Sequence, residues 1–225
     1  MNDIKLIFKV YGVIQRINTI NKIAKDLNIS NCNIFLDDRL NGGDALYTAK
    51  KAYLSSIGDA THLVVLQDDV ELCNNFVDIC YQIVAAHPDK IVSLFPFDYQ
   101  IYSEQYENIG TPYLAVNIMS GCGVIMPVQY IKPCFNYIQS EFNDKIEDDK
   151  GIREWAEYAG IDIITTIPAL IQHIGDRSIL NKYRPIQRTY YFEKDPIADW
   201  SNPNIWKRPK IKEKFFSKRR MIKHE

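Results

Sequence analysis

The chain has 225 residues, of which 46% are hydrophobic and 24% charged, and 27 basic residues offset 28 acidic ones to leave a net charge of −1. That length suits one substantial domain, and the balance excludes disorder, collagen-like repeats and coiled coil as the main description. It also excludes a bulk electrostatic footprint for nucleic acid, and the chain holds no apolar run of membrane-spanning length. The N-terminal segment MNDIKLIFKV is expected to be a first strand, not a secretory leader, and the protein to be cytoplasmic. Cys32, Cys73, Cys80, Cys122 and Cys134 are odd in number, widely spaced and free of any CxxC pair. Free thiols in a reducing compartment are the simplest reading, and a structural zinc site is not expected.

The first half alternates strand and helix signals. Ile4–Val10 is a short β-branched run, and residues 16–28 carry Ile17, Ile20, Ala24 and Leu27 at helical spacing. Asn33–Leu36 reads as a second strand ending in Asp37-Asp38, and Asn41-Gly42-Gly43-Asp44 as a turn or cap. A helix is predicted from Ala45 to Ile57, then a strongly β-branched strand over His62–Leu66 that runs into Gln67-Asp68-Asp69. Asn74 or Asn75 can cap a helix covering Phe76, Cys80, Ile83 and Val84, which Pro88 ends before a strand over Ile91–Phe97.

The second half is more mixed. Tyr113–Ile118 reads as a strand, followed by Ser120-Gly121-Cys122-Gly123 and an apolar Val124–Met126. A helix over 128–140 should be interrupted at Pro133. Glu147-Asp148-Asp149 precedes an amphipathic helix with Ile152, Trp155, Ala156 and Ala159 on one face, closed by Gly160. Ile161–Ile167 is a further strand, and Leu170-Ile171-Gln172-His173-Ile174-Gly175 follows Pro168. Beyond about residue 180 periodicity fades. The chain divides into a domain over 1–180, a wrap over 181–206 and a basic, mobile tail over 207–225.

Strands separated by helices imply βαβ units and a mostly parallel sheet flanked by helices, with a small mixed C-terminal part. Ligands in such sheets bind beyond the carboxyl ends of the strands, which places Asp37-Asp38 and Asp68-Asp69 on the binding edge. A hydrophobic strand that delivers two adjacent carboxylates is a poor core element. The pair is either a solvated acidic turn or a site that wants a cation, and a hard divalent ion such as Mn2+ or Mg2+ would bridge it to phosphate oxygens. His173 ends a short apolar run before Gly175; it is either a satisfied structural histidine or an imidazole ligand to that ion. In Glu147-Asp148-Asp149 one carboxylate can cap the following helix, and one can act as a general base on a hydroxyl.

Taken in order, these residues form a strand ending in Gln67-Asp68-Asp69, then Ser120-Gly121-Cys122-Gly123, then Asp148-Asp149 before a helix containing Trp155, then Pro168-x-Leu170-x-x-His173-x-Gly175-x-x-Ser178. That order resembles a GT-A-fold glycosyltransferase dependent on a nucleotide sugar, of the small family-two-like kind found in phage and bacteria, over residues 4–180. The resemblance implies a Rossmann-like sheet and an Asp-x-Asp motif holding Mn2+ against the donor diphosphate. Asp69 would ligate the metal with His173, and Asp68 would face the ribose or donor sugar. Gln67 stands where the motif's first acid belongs. Asp148 or Asp149 would be the base of an inverting transfer, with Asp149 slightly favoured because Asp148 is the better helix cap. Tyr11, Arg16, Asp37 and Asp38 would meet the donor's base and ribose, with a UDP-sugar favoured. Gly121 would leave room for a sugar, and Arg177 and Ser178 could contact phosphate.

The acceptor clue is the tail, where Lys207, Arg208, Lys210, Lys212, Lys214, Lys218, Arg219, Arg220 and Lys223 interleave with Phe215 and Phe216. Such a segment tracks phosphates, meets anionic membrane or is simply solvated. A DNA acceptor bearing a flipped hydroxymethylated base is one expectation. A cell-envelope polymer or a protein is another, and a metal-dependent nucleotidyltransferase is the alternative reaction.

Overall fold

The continuous apolar strand runs and the amphipathic helices between them build a sheet with two covered faces. The computed structural model describes residues 3–37, 45–96, 110–116, 119–175, 188–189 and 191–207. In chain order its elements are β1 (Leu6–Val13), α1 (Ile17–Asp26), β2 (Ile34–Asp37), α2 (Ala45–Leu54), β3 (His62–Gln67), β4 (Val70–Leu72) and α3 (Phe76–Ala86). There follow β5 (Ile91–Ser93), β6 (Tyr113–Val116), β7 (Gly123–Pro127), α4 (Val128–Phe142), α5 (Asp148–Ala159), β8 (Ile163–Thr166) and β9 (Ile171–His173). The main sheet has seven strands in the order β2-β1-β3-β7-β5-β8-β6, and β4 and β9 form a separate pair. β2, β1, β3, β5 and β8 run one way and β7 and β6 the other. This is the expected α/β architecture, a mixed sheet flanked by helices.

Alternate residues of β3 sort the core into two layers. Val64 and Leu66 pack with Ile20 and Ile23 of α1 and with Phe76, Ile79, Cys80 and Ile83 of α3. Leu63 and Val65 pack on the other face with α2, α4 and α5, through Ala49, Tyr53, Phe135, Ile138, Ile152 and Trp155. The apolar, fully buried stretch Leu63–Leu66 of β3 follows from having helices on both faces.

Several elements depart from expectation. β1 runs on to Val13, because its last residues pair with Ile34–Asp37 and Tyr11 with Gln67. β5 ends at Ser93, short of the predicted Phe97. Helix α4 is continuous through Pro133. The proline removes one amide to the carbonyl of exposed Gln129, and burial of Ile131, Cys134, Phe135 and Ile138 on one face outweighs that loss. Asn75 is the N-cap of α3, but in a left-handed conformation with no side-chain capping bond.

The segment 191–207 seals the far sheet edge. The Ala115 amide donates to the Trp206 carbonyl and the Trp206 amide to the Tyr113 carbonyl, each at 2.9 Å, so the free edge of β6 is covered. Trp200 is buried against Tyr113. All five cysteines are free thiols, and among the described residues no helix is long and apolar enough to cross a membrane.

Lys9 lies in the middle of β1 and is fully buried. Its ammonium donates to Ala52 O at 2.9 Å, Ser55 O at 3.2 Å and Ser55 Oγ at 2.6 Å, which places a cation on the orphan carbonyls at the end of α2. Lys9→Met strips a donor from those carbonyls and should lower unfolding stability by about 1–3 kcal/mol. A urea midpoint equal to the wild type's would contradict that role.

Candidate active site

The site lies at the carboxyl ends of β1 and β3, where the sequence predicts a binding edge. Register places Tyr11 opposite Gln67 and Val13 opposite Asp37. Just past β3 come Asp68 and Asp69, which are 5% and 7% exposed. Two buried neighbouring carboxylates need compensation, and each finds it differently. Asp68 Oδ2 accepts the Val13 amide at 2.7 Å and Oδ1 accepts Arg16 Nη1 at 2.9 Å. Asp69 Oδ2 accepts the same Arg16 nitrogen and lies 2.9 Å from His173 Nε2.

His173 reaches Asp69 through a pairing that sequence reasoning missed. β4 and β9 are antiparallel with Val70 opposite His173, and the Ile174 amide donates to Asp69 O at 2.8 Å. Backbone closeness is part of the construction. A Cβ on Gly12 would lie 2.1 Å from the Asp68 Cβ, and one on Gly175 would lie 2.8 Å from Asp69 Oδ2 and 3.2 Å from Arg16 Nη2. Only glycine admits those approaches.

Charges follow from these contacts. Burial pushes Asp68 above the ordinary carboxylate range, aided by the Asp69 charge. Burial acts the same way on Asp69, but His173 and Arg16 overcome it and hold Asp69 below that range. Asp69 Oδ1 and His173 Nδ1 are buried without a hydrogen-bond partner.

A second carboxyl group stands beside this cluster. Asp148, the first residue of α5, is buried, and its Oδ2 accepts the Tyr11 hydroxyl at 2.6 Å. Gln67 Nε2 donates to the same phenol oxygen at 2.9 Å. The N-cap of α5 is Glu147, with no side-chain capping bond, so Asp148 is not the capping residue foreseen. Burial, with the Asp149 charge behind it, pushes Asp148 up to about 7. Asp149 is partly exposed, and its Oδ1 accepts the Lys150 amide at 2.7 Å. Gly121 lets the backbone close over this group, since a Cβ there would lie 3.2 Å from both Asp148 Oδ2 and Gln67 Nε2.

The structure thus gathers Tyr11, Arg16, Asp68, Asp69, Gly121, Asp148 and His173 at one strand edge, and it adds Gln67. Tyr11 is buried and committed to Asp148, and Arg16 is turned onto the acidic pair. Asp37 is buried at the end of β2 and accepts Thr48 Oγ1 at 3.2 Å. Asp38, Gly42, Gly43, Asp44, Arg177, Ser178 and the tail beyond Lys207 lie outside the described residues.

The donor set of Asp69 and His173 fits a hard or borderline divalent ion, and the orphaned Asp69 Oδ1 is the atom that asks for one. Among the described residues, no group of three or more His, Cys, Asp or Glu is arranged to hold a metal. Such an ion would therefore depend on phosphate oxygens and water for its remaining positions, as Mg2+ sites commonly do.

No protein-family model matches the chain, and no curated protein matches it. Among solved structures, it is similar to a mutant Drosophila β-1,4-galactosyltransferase 7 in complex with manganese, UDP-Gal and xylobiose. That match has 10% identity and TM-score 0.42, covering 87% of this chain and 83% of that one. It is also similar to the catalytic domain of the Drosophila enzyme complexed with xylobiose, at 10% identity and TM-score 0.43, covering 88% and 84%. Likeness at this level carries no argument about residues or chemistry.

The Asp148 environment has a measurable consequence. Its carboxyl keeps a proton in the folded state up to about pH 7, whereas an unfolded chain releases it near 3.9. The folded state therefore binds more protons between those values, and this group's contribution to stability falls as pH rises through the window. Asp148→Asn should gain stability relative to wild type between pH 4 and 7 in chemical denaturation, and a constant difference would contradict the assignment.

Proposed function

We propose that the protein is a metal-dependent glycosyltransferase that moves a sugar from a nucleoside-diphosphate donor, a UDP-sugar in preference, to an acceptor hydroxyl with inversion. One observation carries the reading. Two carboxyl groups at one strand edge have environments that drive their protonation apart, with Asp69 held low beside His173 and Arg16 and Asp148 pushed up by burial. Groups separated in this way divide into a permanently charged partner and a proton acceptor matched to neutral pH.

Asp69 and His173 would hold a divalent ion, Mn2+ or Mg2+, which when bound would neutralise charge on the departing diphosphate. Asp68 fixes the end of β1 through the Val13 amide and so keeps Asp69 in place. Asp148 takes the proton of the acceptor hydroxyl as its oxygen bonds to the anomeric carbon and the bond from that carbon to the diphosphate breaks. The Tyr11 hydroxyl orients Asp148, and Gln67 orients Tyr11. This geometry supports Asp148 over the sequence preference for Asp149, which is partly exposed and accepts its neighbour's amide. Asp37 and Asp38 would face the donor's base and ribose, with Arg177 and Ser178 near its phosphates.

The basic composition of residues 207–225 suits a polyanionic acceptor, and DNA carrying a hydroxymethylated base is the one to test first, ahead of a cell-envelope polymer. Turnover should release UDP, not pyrophosphate, from a UDP-sugar. Asp148→Asn should cut that release by about 10²–10⁴-fold. Pyrophosphate as the product would replace the reading with nucleotidyl transfer, and full activity in Asp148→Asn would remove Asp148 from the role of base.

A further inference from the structure

The Arg16 guanidinium already engages the acidic pair that an incoming cation would use. One nitrogen, Nη1, contacts both Asp68 Oδ1 and Asp69 Oδ2. The same Asp69 oxygen also faces His173 Nε2. On another side the cluster is closed by the Gly175 backbone, where even a methyl group would approach Asp69 Oδ2 to 2.8 Å and Arg16 Nη2 to 3.2 Å. A divalent ion on Asp69 Oδ1 would meet a like charge hydrogen-bonded to the other oxygen of the same buried carboxylate, with little water to screen the repulsion. The ion and the guanidinium therefore compete for one anionic site.

Arg16 is suited to yield. It ends the short turn Ile14–Arg16 before α1, and its side chain keeps 20% exposure, against 7% and 9% for the two aspartates it bridges. The carboxylates are fixed by backbone and by β4–β9 pairing, whereas the arginine sits at the rim on a flexible stem.

We propose that Arg16 is the resident counter-ion of the Asp68–Asp69 pair, that a divalent cation binds by displacing it, and that the displaced guanidinium turns to the donor diphosphate. The inference rests on the metal-dependent reading above and gives that reading an order of events. Without nucleotide the guanidinium already offsets part of the pair's charge and metal binds weakly. With nucleotide, the guanidinium gains phosphate oxygens, for which its planar fork is well matched. Metal and nucleotide then bind with positive coupling, and linkage makes the coupling reciprocal.

The test is direct Mn2+ binding, followed by the electron paramagnetic resonance signal of free Mn2+, with and without UDP. Wild type, Arg16→Gln and Asp69→Asn are compared, each checked for folding by circular dichroism. Without UDP, Arg16→Gln should bind Mn2+ about tenfold more tightly than wild type, a typical coupling factor, and UDP should improve its Mn2+ affinity by less than it improves that of wild type. Asp69→Asn should bind none. Equal or weaker Mn2+ binding by Arg16→Gln, with binding still lost in Asp69→Asn, overturns the counter-ion role and leaves the metal-dependent reading standing. Absence of Mn2+ binding in wild type and Arg16→Gln alike, with or without UDP, overturns both. Arg16→Met keeps the apolar stem and makes the same comparison if the glutamine variant does not fold.

Discussion

Two neighbouring carboxylates buried just past a strand with an apolar, fully buried centre are the constraint around which this molecule is arranged. Asp68 and Asp69 repel each other and lose hydration together, so each must be met by a donor or a cation. The answer draws on two distant parts of the chain, the end of β1 with the turn behind it and the end of β9. Val13 at the end of β1 supplies an amide, Arg16 a guanidinium and His173 a ring nitrogen. The extension of β1, the turn before α1 and the β4–β9 pair are each placed to satisfy that demand.

Electrostatics at the site therefore has two poles. Around Asp69 the donors outweigh burial and the negative charge is retained. Around Asp148 burial wins, because the phenol of Tyr11 is a neutral partner and the charge of Asp149, which acts on it, has the same sign. Gln67 ties the poles together. It is the last residue of β3 and donates to Tyr11, whose hydroxyl in turn reaches Asp148. Where an acidic residue would have added a third repelling charge, an amide provides a neutral donor.

Much of the scaffold was legible because its signals are local. The β-branched run His62–Leu66 reads as a strand from its residues alone, and the spacing of apolar residues located α1, α2, α3 and α5 closely. The acidic pair and His173 stood out because they interrupt or end apolar runs. What escaped was non-local. β4 is three residues long, and its partner β9 lies about a hundred positions away, so neither declares itself by periodicity. The Tyr11–Asp148 bond joins residues 137 apart. Pro133 misled because its local cost is real, but it is overridden by burial of one helix face. Arg16 was legible as a donor-facing residue, and its engagement with both aspartates depends on the turn geometry that follows β1.

The central claim is that the Asp69–His173 end binds a nucleotide together with a divalent ion. Thermal shift with UDP, other nucleoside diphosphates and UDP-sugars, with and without Mn2+, tests it most directly, since a ligand that binds only the native state raises the midpoint by mass action. The account predicts a rise with uridine nucleotides that requires Mn2+ and disappears in Asp69→Ala. A rise that is indifferent to Mn2+ and unchanged in Asp69→Ala, or no rise with any nucleotide, would contradict it.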